Sequence, residues 1–178
     1  MQSRCVIILL GLMSGANSLA GQGAPACPPP QVETTGWFEV IADSPMVVFR
    51  LPPGFTRKVY KVSFGHLPPR QEWRREGFLT FRIEESAGPD ILSRATPRRQ
   101  EWTADYSECS ELLHGAPAVI QAQRGSGTIF NNGQESKTFD VYATVERRPG
   151  LYVRVWGTAA SRTDQEVLLA IVRTISLR

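Results

Sequence analysis

Apolar and polar residues alternate along four segments of the chain, and this period dominates the expected fold. The four segments are Phe78–Glu84, Ala118–Gln123, Phe139–Glu146 and Leu151–Trp156. Successive side chains of a β-strand point to opposite faces, so a period of two predicts strands with one buried and one wetted face. Two earlier strands are predicted at Met46–Leu51 and Val59–Phe64, each ended by a nearby Pro-Pro pair.

Two short turn sequences connect the predicted strands. Pro149-Gly150 suits the central positions of a type II turn, which predicts an antiparallel hairpin between the last two alternating segments. Asn132-Gly133 is typical of a tight turn, and it would close one long hairpin that runs from Ala118 to Glu146. Connections this short predict a sheet built largely from sequential antiparallel strands.

The C-terminal segment changes to a helical period. Thr163 is expected to cap a helix together with Glu166, in the spacing of a capping box. Apolar residues then recur at helical spacing, at Val167, Leu168, Ile171, Val172 and Ile175. This stripe predicts that the helix packs on the buried face of the sheet, followed by a short final strand within Ile175–Leu177. A second short helix is expected at Ser107–Leu113.

Hairpin-connected strands covered by helices predict an antiparallel α+β fold. The segment Phe49–Phe55, together with the hairpin and helix of Tyr142–Leu177, resembles the PsbP-like α/β/α sandwich group of secreted and lumenal accessory proteins. That resemblance implies a curved antiparallel sheet of about six strands covered by helices. It also implies a binding or assembly role, because the group is largely non-enzymatic, and no functional residue carries over from it.

The first twenty residues predict a secretory signal peptide. Val6–Met13 is an apolar run of eight residues, shorter than the roughly 20 residues that a membrane-spanning helix needs. Small residues at Ser18 and Ala20 place the expected cleavage before Gly21. We therefore expect a secreted or periplasmic protein without a membrane span, divided into a signal peptide (1–20), a Pro/Gly-rich tether (21–36) and a single α+β domain (37–178).

Removal of the signal peptide would leave two cysteines, Cys27 and Cys109. Disulfides persist in the oxidising compartments that exported proteins enter, so a Cys27–Cys109 bridge is the favoured prediction. Two alternatives stay open: a free Cys27 beside a buried Cys109, and a lipid anchor on Cys27, since bacterial lipoproteins are acylated at a cysteine soon after an apolar run. Neither cysteine has the spacing of a metal site, and no metal or cofactor is predicted.

The segment Arg70–Trp102 is rich in arginine without being strongly basic. Between Arg70 and Arg99, seven arginines stand against five acidic residues, and the whole chain carries a formal charge of +3. Binding of nucleic acid needs a concentrated basic face, so a nucleic-acid partner is not expected.

The sequence offers two candidate binding surfaces. Arg-Gln-Glu-Trp occurs twice, and Trp and Arg are enriched in binding hot spots, which singles out Trp73, Arg74, Arg99 and Trp102. Ile129 and Phe130 stand beside the tip of the predicted long hairpin, where a protruding apolar pair can form a contact. The alternative for both surfaces is packing against the chain's own sheet.

The chain contains two histidines, His66 and His114, and no nucleophile motif, so no catalytic residue is predicted. We expect an exported, non-enzymatic binding or accessory protein of the bacterial cell envelope, whose partner is an unidentified protein or small molecule. The alternatives are an exported hydrolase that uses His114 or His66 as its base, and a lipid-anchored envelope protein held through Cys27.

Overall fold

The computed structural model describes residues 24–43, 46–60, 70–76, 79–86, 104–131 and 134–178. These residues form ten strands and one helix. The strands are β1 (Phe38–Asp43), β2 (Met46–Leu51), β3 (Thr56–Tyr60), β4 (Arg70–Arg75), β5 (Leu79–Ser86), β6 (Ala104–Leu113), β7 (Ala116–Asn131), β8 (Gln134–Arg148), β9 (Leu151–Ala159) and β10 (Ser176–Leu177), and the helix is α1 (Arg162–Arg173).

The strands of the described residues form two antiparallel sheets. The larger sheet has seven strands in the order β3-β4-β5-β9-β8-β7-β6, and the smaller has three in the order β1-β2-β10. The antiparallel α+β fold is therefore confirmed, whereas the single sheet of about six strands is replaced by two sheets. Cover by helices is shown only in part, because α1 is the one helix that the described residues contain.

The alternating segments fold as strands, as their period predicts. β2 occupies the predicted Met46–Leu51, and the four alternating segments all overlap strands of the larger sheet. The predicted strand Val59–Phe64 overlaps the last two residues of β3, and residues 61–64 lie outside the described part of the chain.

Both predicted hairpins are confirmed. Arg148 pairs with Leu151 across the β8–β9 turn, and Gly150 has a φ of 81°, which the third position of a type II turn requires. The β7–β8 ladder continues to the pair Asn131 and Gln134, so these strands form the long hairpin, although its tip at 132–133 lies outside the described residues.

Helix α1 begins two residues earlier than the capping pattern predicts. The N-cap is Ser161 rather than Thr163, and the Ser161 hydroxyl accepts a hydrogen bond from the Asp164 backbone N–H at 3.1 Å. Ser161 Oγ also lies 2.8 Å from the Asp164 carboxylate. Ser161 and Asp164 thus repeat the spacing expected of Thr163 and Glu166, and the pair closer to the end of β9 forms the cap.

The apolar stripe of α1 packs on the larger sheet, as predicted. Leu168, Ile171 and Ile175 are completely buried. Gly157 of β9 lies directly beneath Leu168, since a Cβ at this position would be 2.8 Å from both Leu168 methyl groups. The Gln165 side chain donates to the backbone oxygens of Gln123 and Asp140, at 3.0 Å each, which fixes the helix over β7 and β8.

The predicted helix at Ser107–Leu113 is wrong, because these residues belong to strand β6. Their backbone pairs with β7 on one side, for example Cys109 with Ile120. On the other side, Ser110 exchanges backbone hydrogen bonds with Pro25 and Cys27, at 2.8 and 3.2 Å. Ladders on both edges stabilise the extended conformation over a local helical preference.

The N-terminal arm, which we define as residues 24–30, is joined covalently to this edge strand. Cys27 and Cys109 form a disulfide with Cα atoms 4.8 Å apart, which confirms the predicted bridge. The free-thiol and lipid-anchor alternatives for Cys27 are wrong in this structure, because both need the sulfur that the bridge occupies.

Candidate functional site

A cleft of about 460 Å³ lies where the smaller sheet meets the C-terminal end of α1 and the β6–β7 turn. We call it the arginine cleft, because its walls include three arginines. Its lining includes Arg50, Arg173, Arg178, His114, Glu39, Val48 and Phe49. A cleft of this volume falls in the range typical of small-molecule sites.

The alternation of β2 directs Arg50 into the cleft. Val47, Phe49 and Leu51 are completely buried in the core, so Val48 and Arg50 point to the opposite face of the smaller sheet. The Arg50 backbone N–H donates to Thr174 Oγ1 at 2.8 Å, and that hydroxyl donates to the backbone oxygen of Ile171 at 2.7 Å. Thr174 therefore joins β2 to the last turn of α1 and positions the two walls.

Positive charge exceeds negative charge in the cleft. Arg173 is neutralised by Glu111, at 3.2 Å, and it also donates to the backbone oxygen of Pro28. Arg178 pairs with Glu39 at 3.6 Å, although Glu39 stands directly opposite Arg50 in the β1–β2 ladder. One carboxylate cannot neutralise two guanidiniums, so the side chains of Arg50, Arg178 and Glu39 together carry one surplus positive charge, while the main-chain oxygen of Arg178 accepts from Arg147 at 2.7 Å.

Apolar side chains continue the same surface beyond the charged groups. Ile41 is opposite Val48 in the ladder, and Met46 lies two residues before Val48, so all three share the face that carries Arg50. Ile41 and Met46 are 45% and 51% exposed. Ile41 and Met46 are therefore solvent-accessible apolar side chains beside the buried Val48 of the cleft wall, and Asp43 stands opposite Met46 on the same face.

His114 lies at the rim of the cleft, in the tight turn between β6 and β7. Its φ of 49° and the φ of 89° at Gly115 define a turn of two left-handed residues. No described side chain hydrogen-bonds to its imidazole. Its neighbours in sequence are already engaged: Cys109 in the disulfide, Ser110 with Ala24 and Glu111 with Arg173.

The predicted binding surface around Trp73 is wrong, because the structure buries this side chain. Trp73 is 2% exposed, and its indole packs against Phe49 and Phe81 with ring centroids 4.8 and 6.2 Å apart. This side chain belongs to the core because β4 alternates in register with β5, and it cannot form part of a surface patch. Residues 99 and 102 lie outside the described part of the chain, as does His66.

The remaining predicted site residues are located only in part. Ile129 and Phe130 belong to β7 near the tip of the long hairpin, and their side chains lie outside what the structure describes. Arg74 is half-exposed on β4, where its guanidinium hydrogen-bonds to Glu72.

Glu72 forms a second arginine site with Arg74 and Arg82. Its side chain is 1% exposed, and each guanidinium donates to one of its carboxylate oxygens. Burial acts to raise the pKa of Glu72, but the hydrogen bonds and charges of Arg74 and Arg82 outweigh burial and lower the pKa below its usual range.

Asp140 is a buried carboxyl with the opposite tendency. Burial raises the pKa of Asp140, while hydrogen bonds from Thr138, at 2.9 Å, and Thr158 oppose the rise. Its backbone oxygen accepts from Gln165. Asp140 thus helps to fix α1 on the sheet through its backbone oxygen, and it is not among the residues that line the arginine cleft.

Within the described residues, no three His, Cys, Asp or Glu side chains group in a way that could hold a metal ion. None of the helical residues that the structure describes forms a segment long and apolar enough to cross a membrane.

Comparison with known proteins identifies the fold. No family model and no curated protein matches the sequence. The solution structure of cyanobacterial PsbP (CyanoP) from Synechocystis sp. PCC 6803 matches with a TM-score of 0.52 and 10% identity, over 86% of this chain and 98% of CyanoP. A crystal structure from Bacteroides thetaiotaomicron VPI-5482 matches with a TM-score of 0.38 and 9% identity, over 74% of this chain and 45% of that one. The likeness to CyanoP confirms the resemblance at the level of the fold, and the chain therefore has a PsbP-like fold.

Proposed function

We propose that this protein is an exported, non-enzymatic accessory protein of the bacterial cell envelope, and that it binds an anionic group of its partner in the arginine cleft. One observation carries the binding site: Arg50, Arg178 and Glu39 share a single face of the smaller sheet, and Arg50 has no side-chain ion pair among the described residues. A guanidinium presents several N–H donors in a plane that matches a carboxylate.

Export is supported by the N-terminal sequence and by the disulfide. Residues 1–20 have the charged, apolar and small-residue regions of a signal peptide, with cleavage expected before Gly21. The Cys27–Cys109 bridge suits an oxidising compartment.

A binding role is supported by the arrangement around His114. A hydrolytic base needs a nucleophile to deprotonate and an acid that orients its ring. The hydroxyl, thiol and carboxylate nearest His114 in sequence serve the arm and Arg173 instead. The PsbP-like fold, which resembles that of accessory proteins, agrees with this role without determining it.

Binding is tested by titrating the ¹⁵N-labelled mature protein with sodium acetate and with inorganic phosphate at constant ionic strength. We expect saturable shifts of the Arg50 side-chain Nε–H signal and of the Ser176 backbone amide, which lines the same cleft. Arg50→Gln should abolish the shift at Ser176, whereas Arg148→Gln, an exposed arginine beside the β8–β9 turn, should leave it unchanged. If neither anion produces a saturable shift, the proposed site is wrong.

Export is tested separately by expressing the full chain in a Gram-negative host and measuring the intact mass of the protein from the periplasmic fraction by mass spectrometry. A mass that begins at Gly21 and includes the intact disulfide is expected. Retention of the whole chain in the cytoplasm would contradict the envelope role.

A further inference from the structure

We infer that the ligand of the arginine cleft is an organic monocarboxylate, with its carboxylate on Arg50 and its apolar part on the strip formed by Ile41, Val48 and Met46. This inference rests on the proposed function and specifies the chemical class of the ligand. It is carried by the charge balance of the cleft, by the apolar strip beside it and by its size.

The charge balance favours a ligand with a single negative charge. Arg173 is already matched by Glu111, and Glu39 matches one of the two remaining arginines. One bound carboxylate would complete the neutralisation of these side chains, whereas a dianion would face the Glu39 carboxylate without a further side-chain cation. The C-terminal end of α1, which carries a partial negative charge, adds to the penalty for a second negative charge.

The apolar strip supplies the second part of the ligand's chemistry. Ile41 and Met46 expose 45% and 51% of their surface on the face that carries Arg50. Two of the five large apolar side chains that are exposed among the described residues thus lie beside the surplus charge. An apolar chain or ring placed on them removes both surfaces from water, which is favourable by about 25 cal/mol per Å².

The size of the cleft suits a small molecule. Its volume of about 460 Å³ accommodates a carboxylate and several methylene groups, and Val48 in its wall stands opposite the exposed Ile41 in the β1–β2 ladder. An extended peptide paired with β1 is a less suitable ligand. Its side chain beside Glu39 would have to be positively charged, and Arg50, which stands opposite Glu39, would repel that charge.

The experiment compares four probes on the disulfide-bonded mature protein by calorimetry and ¹⁵N NMR. The probes are octanoate, acetate, octan-1-ol and inorganic phosphate. Octanoate is expected to bind at least about tenfold more tightly than acetate or phosphate, since burial of two or more methylene groups is worth that factor. Octan-1-ol has the chain without the charge and should not bind saturably.

Variants separate the two parts of the ligand. Arg50→Gln should weaken octanoate binding by about tenfold or more, since it removes the surplus charge. Ile41→Ser should weaken octanoate severalfold and leave acetate unchanged. Val59→Ser is the matched control, because Val59 is an apolar strand residue with 53% exposure that lies on β3 of the larger sheet.

The outcomes distinguish this inference from the proposed function. If acetate and octanoate bind equally, or phosphate binds more tightly than octanoate, the inference is overturned while the anion site stands. If no probe shifts the Arg50 signal, both are overturned. If octanoate binds to Arg50→Gln with the wild-type affinity, the ligand lies elsewhere and the inference is also overturned.

Discussion

Two regions of this molecule bring arginine and glutamate side chains together, and the two groups differ in burial and in ion pairing. On the larger sheet, Glu72 is buried between Arg74 and Arg82, which occupy both of its oxygens. On the smaller sheet, Glu39 is half-exposed and pairs with Arg178 at 3.6 Å, while Arg50 stands opposite it in the ladder. The carboxylate of the first group is buried and hydrogen-bonded at both oxygens, and the second group remains accessible to a ligand.

The difference shows that the number of arginines in a segment does not locate a binding surface. The arginine-rich strand β4 uses Arg74 to neutralise its own buried carboxylate. The single arginine of the apolar strand β2 contributes the surplus charge. A buried carboxylate depends on its partners, because removal of one leaves a desolvated charge unpaired, whereas an exposed ion pair is weak enough to exchange partners.

The largest expected effect comes from releasing the arm that reaches the arginine cleft. Reduction of the Cys27–Cys109 bridge, whose sequence separation is 82, should lower the free energy of unfolding by about 4 kcal/mol. It should also weaken octanoate binding, because Arg173 would lose its Pro28 partner, while the Glu72 cluster stays intact.

Urea unfolding with and without reducing agent measures the stability change. The double variant Cys27→Ala/Cys109→Ala is the control, since reducing agent should then have no effect. An unchanged midpoint for the reduced wild-type protein would show that the arm contributes little.

The next effect tests whether the Glu72 cluster is structural. Glu72→Gln should lower the free energy of unfolding by about 2 kcal/mol, because two guanidiniums, which are 42% and 40% exposed, lose the carboxylate to which they donate. Octanoate affinity should not change. Glu76→Gln, at an exposed position one residue beyond β4, is the matched control and should be near neutral.

The pH dependence of the same variant adds a second measurement. Because the pKa of Glu72 is lowered, its contribution is present above the ordinary value of 4.5 and is lost as pH falls through the folded-state pKa. The stability difference between wild type and Glu72→Gln should therefore shrink in acid. A difference that grows in acid would contradict the lowered pKa.

Gly157→Ala should act on the arginine cleft and the core together. The added methyl group would meet Leu168 at 2.8 Å, so α1 must move away from β9, at a cost of about 2 kcal/mol. Movement of α1 shifts Thr174 relative to Arg50, so octanoate binding should also weaken. Thermal unfolding checks the first effect, and the compensating variant Gly157→Ala/Leu168→Ala should bind more like the wild type.

Asp140→Asn should change the free energy of unfolding less than Glu72→Gln does, and the change should depend on pH in the opposite direction. A raised folded-state pKa means that the carboxyl's contribution is complete below its ordinary value of 3.8 and is lost as pH rises through the folded-state pKa. The Asn side chain can still accept from Thr138 and does not ionise. Relative to wild type, the variant should therefore gain stability as pH rises above about 4, measured by unfolding at a series of pH values.

The smallest stability effect is expected at the proposed site itself. Arg50→Gln should change the free energy of unfolding by less than about 0.5 kcal/mol, because the guanidinium is exposed, while it removes most of the octanoate affinity. A strongly destabilised Arg50→Gln protein would show that Arg50, like the Glu72 cluster, serves the fold.

Local patterns predict most of the fold and almost none of the site. The strand Met46–Leu51, the Pro149-Gly150 turn and the stripe of α1 depend on neighbours in sequence, and each is confirmed. Strand β6 was missed because its extended form is stabilised by ladders to β7 and to the arm, and the arm is remote in sequence. Tertiary pairing overrode a weak helical preference.

The arginine cleft depends on contacts that no local pattern contains. Arg50 and Thr174 are separated by 124 residues, yet a hydrogen bond joins them. One signal in the sequence does point to Arg50, namely a charged residue inside an apolar strand. The Arg-Gln-Glu-Trp repeat gives a wrong prediction for Trp73. Its charged neighbours suggest an exposed indole, but alternation along β4 places the indole in the core.

The attachment of the N-terminal arm has a consequence for behaviour in concentrated solution. An uncovered edge strand is a template on which another chain can add, and this is a common route to aggregation. Here Pro25 and Cys27 satisfy the backbone N–H and C=O of Ser110 in β6, which would otherwise face a neighbour, and the disulfide holds the arm in place. Oxidation therefore protects the end of the larger sheet from edge-to-edge self-association.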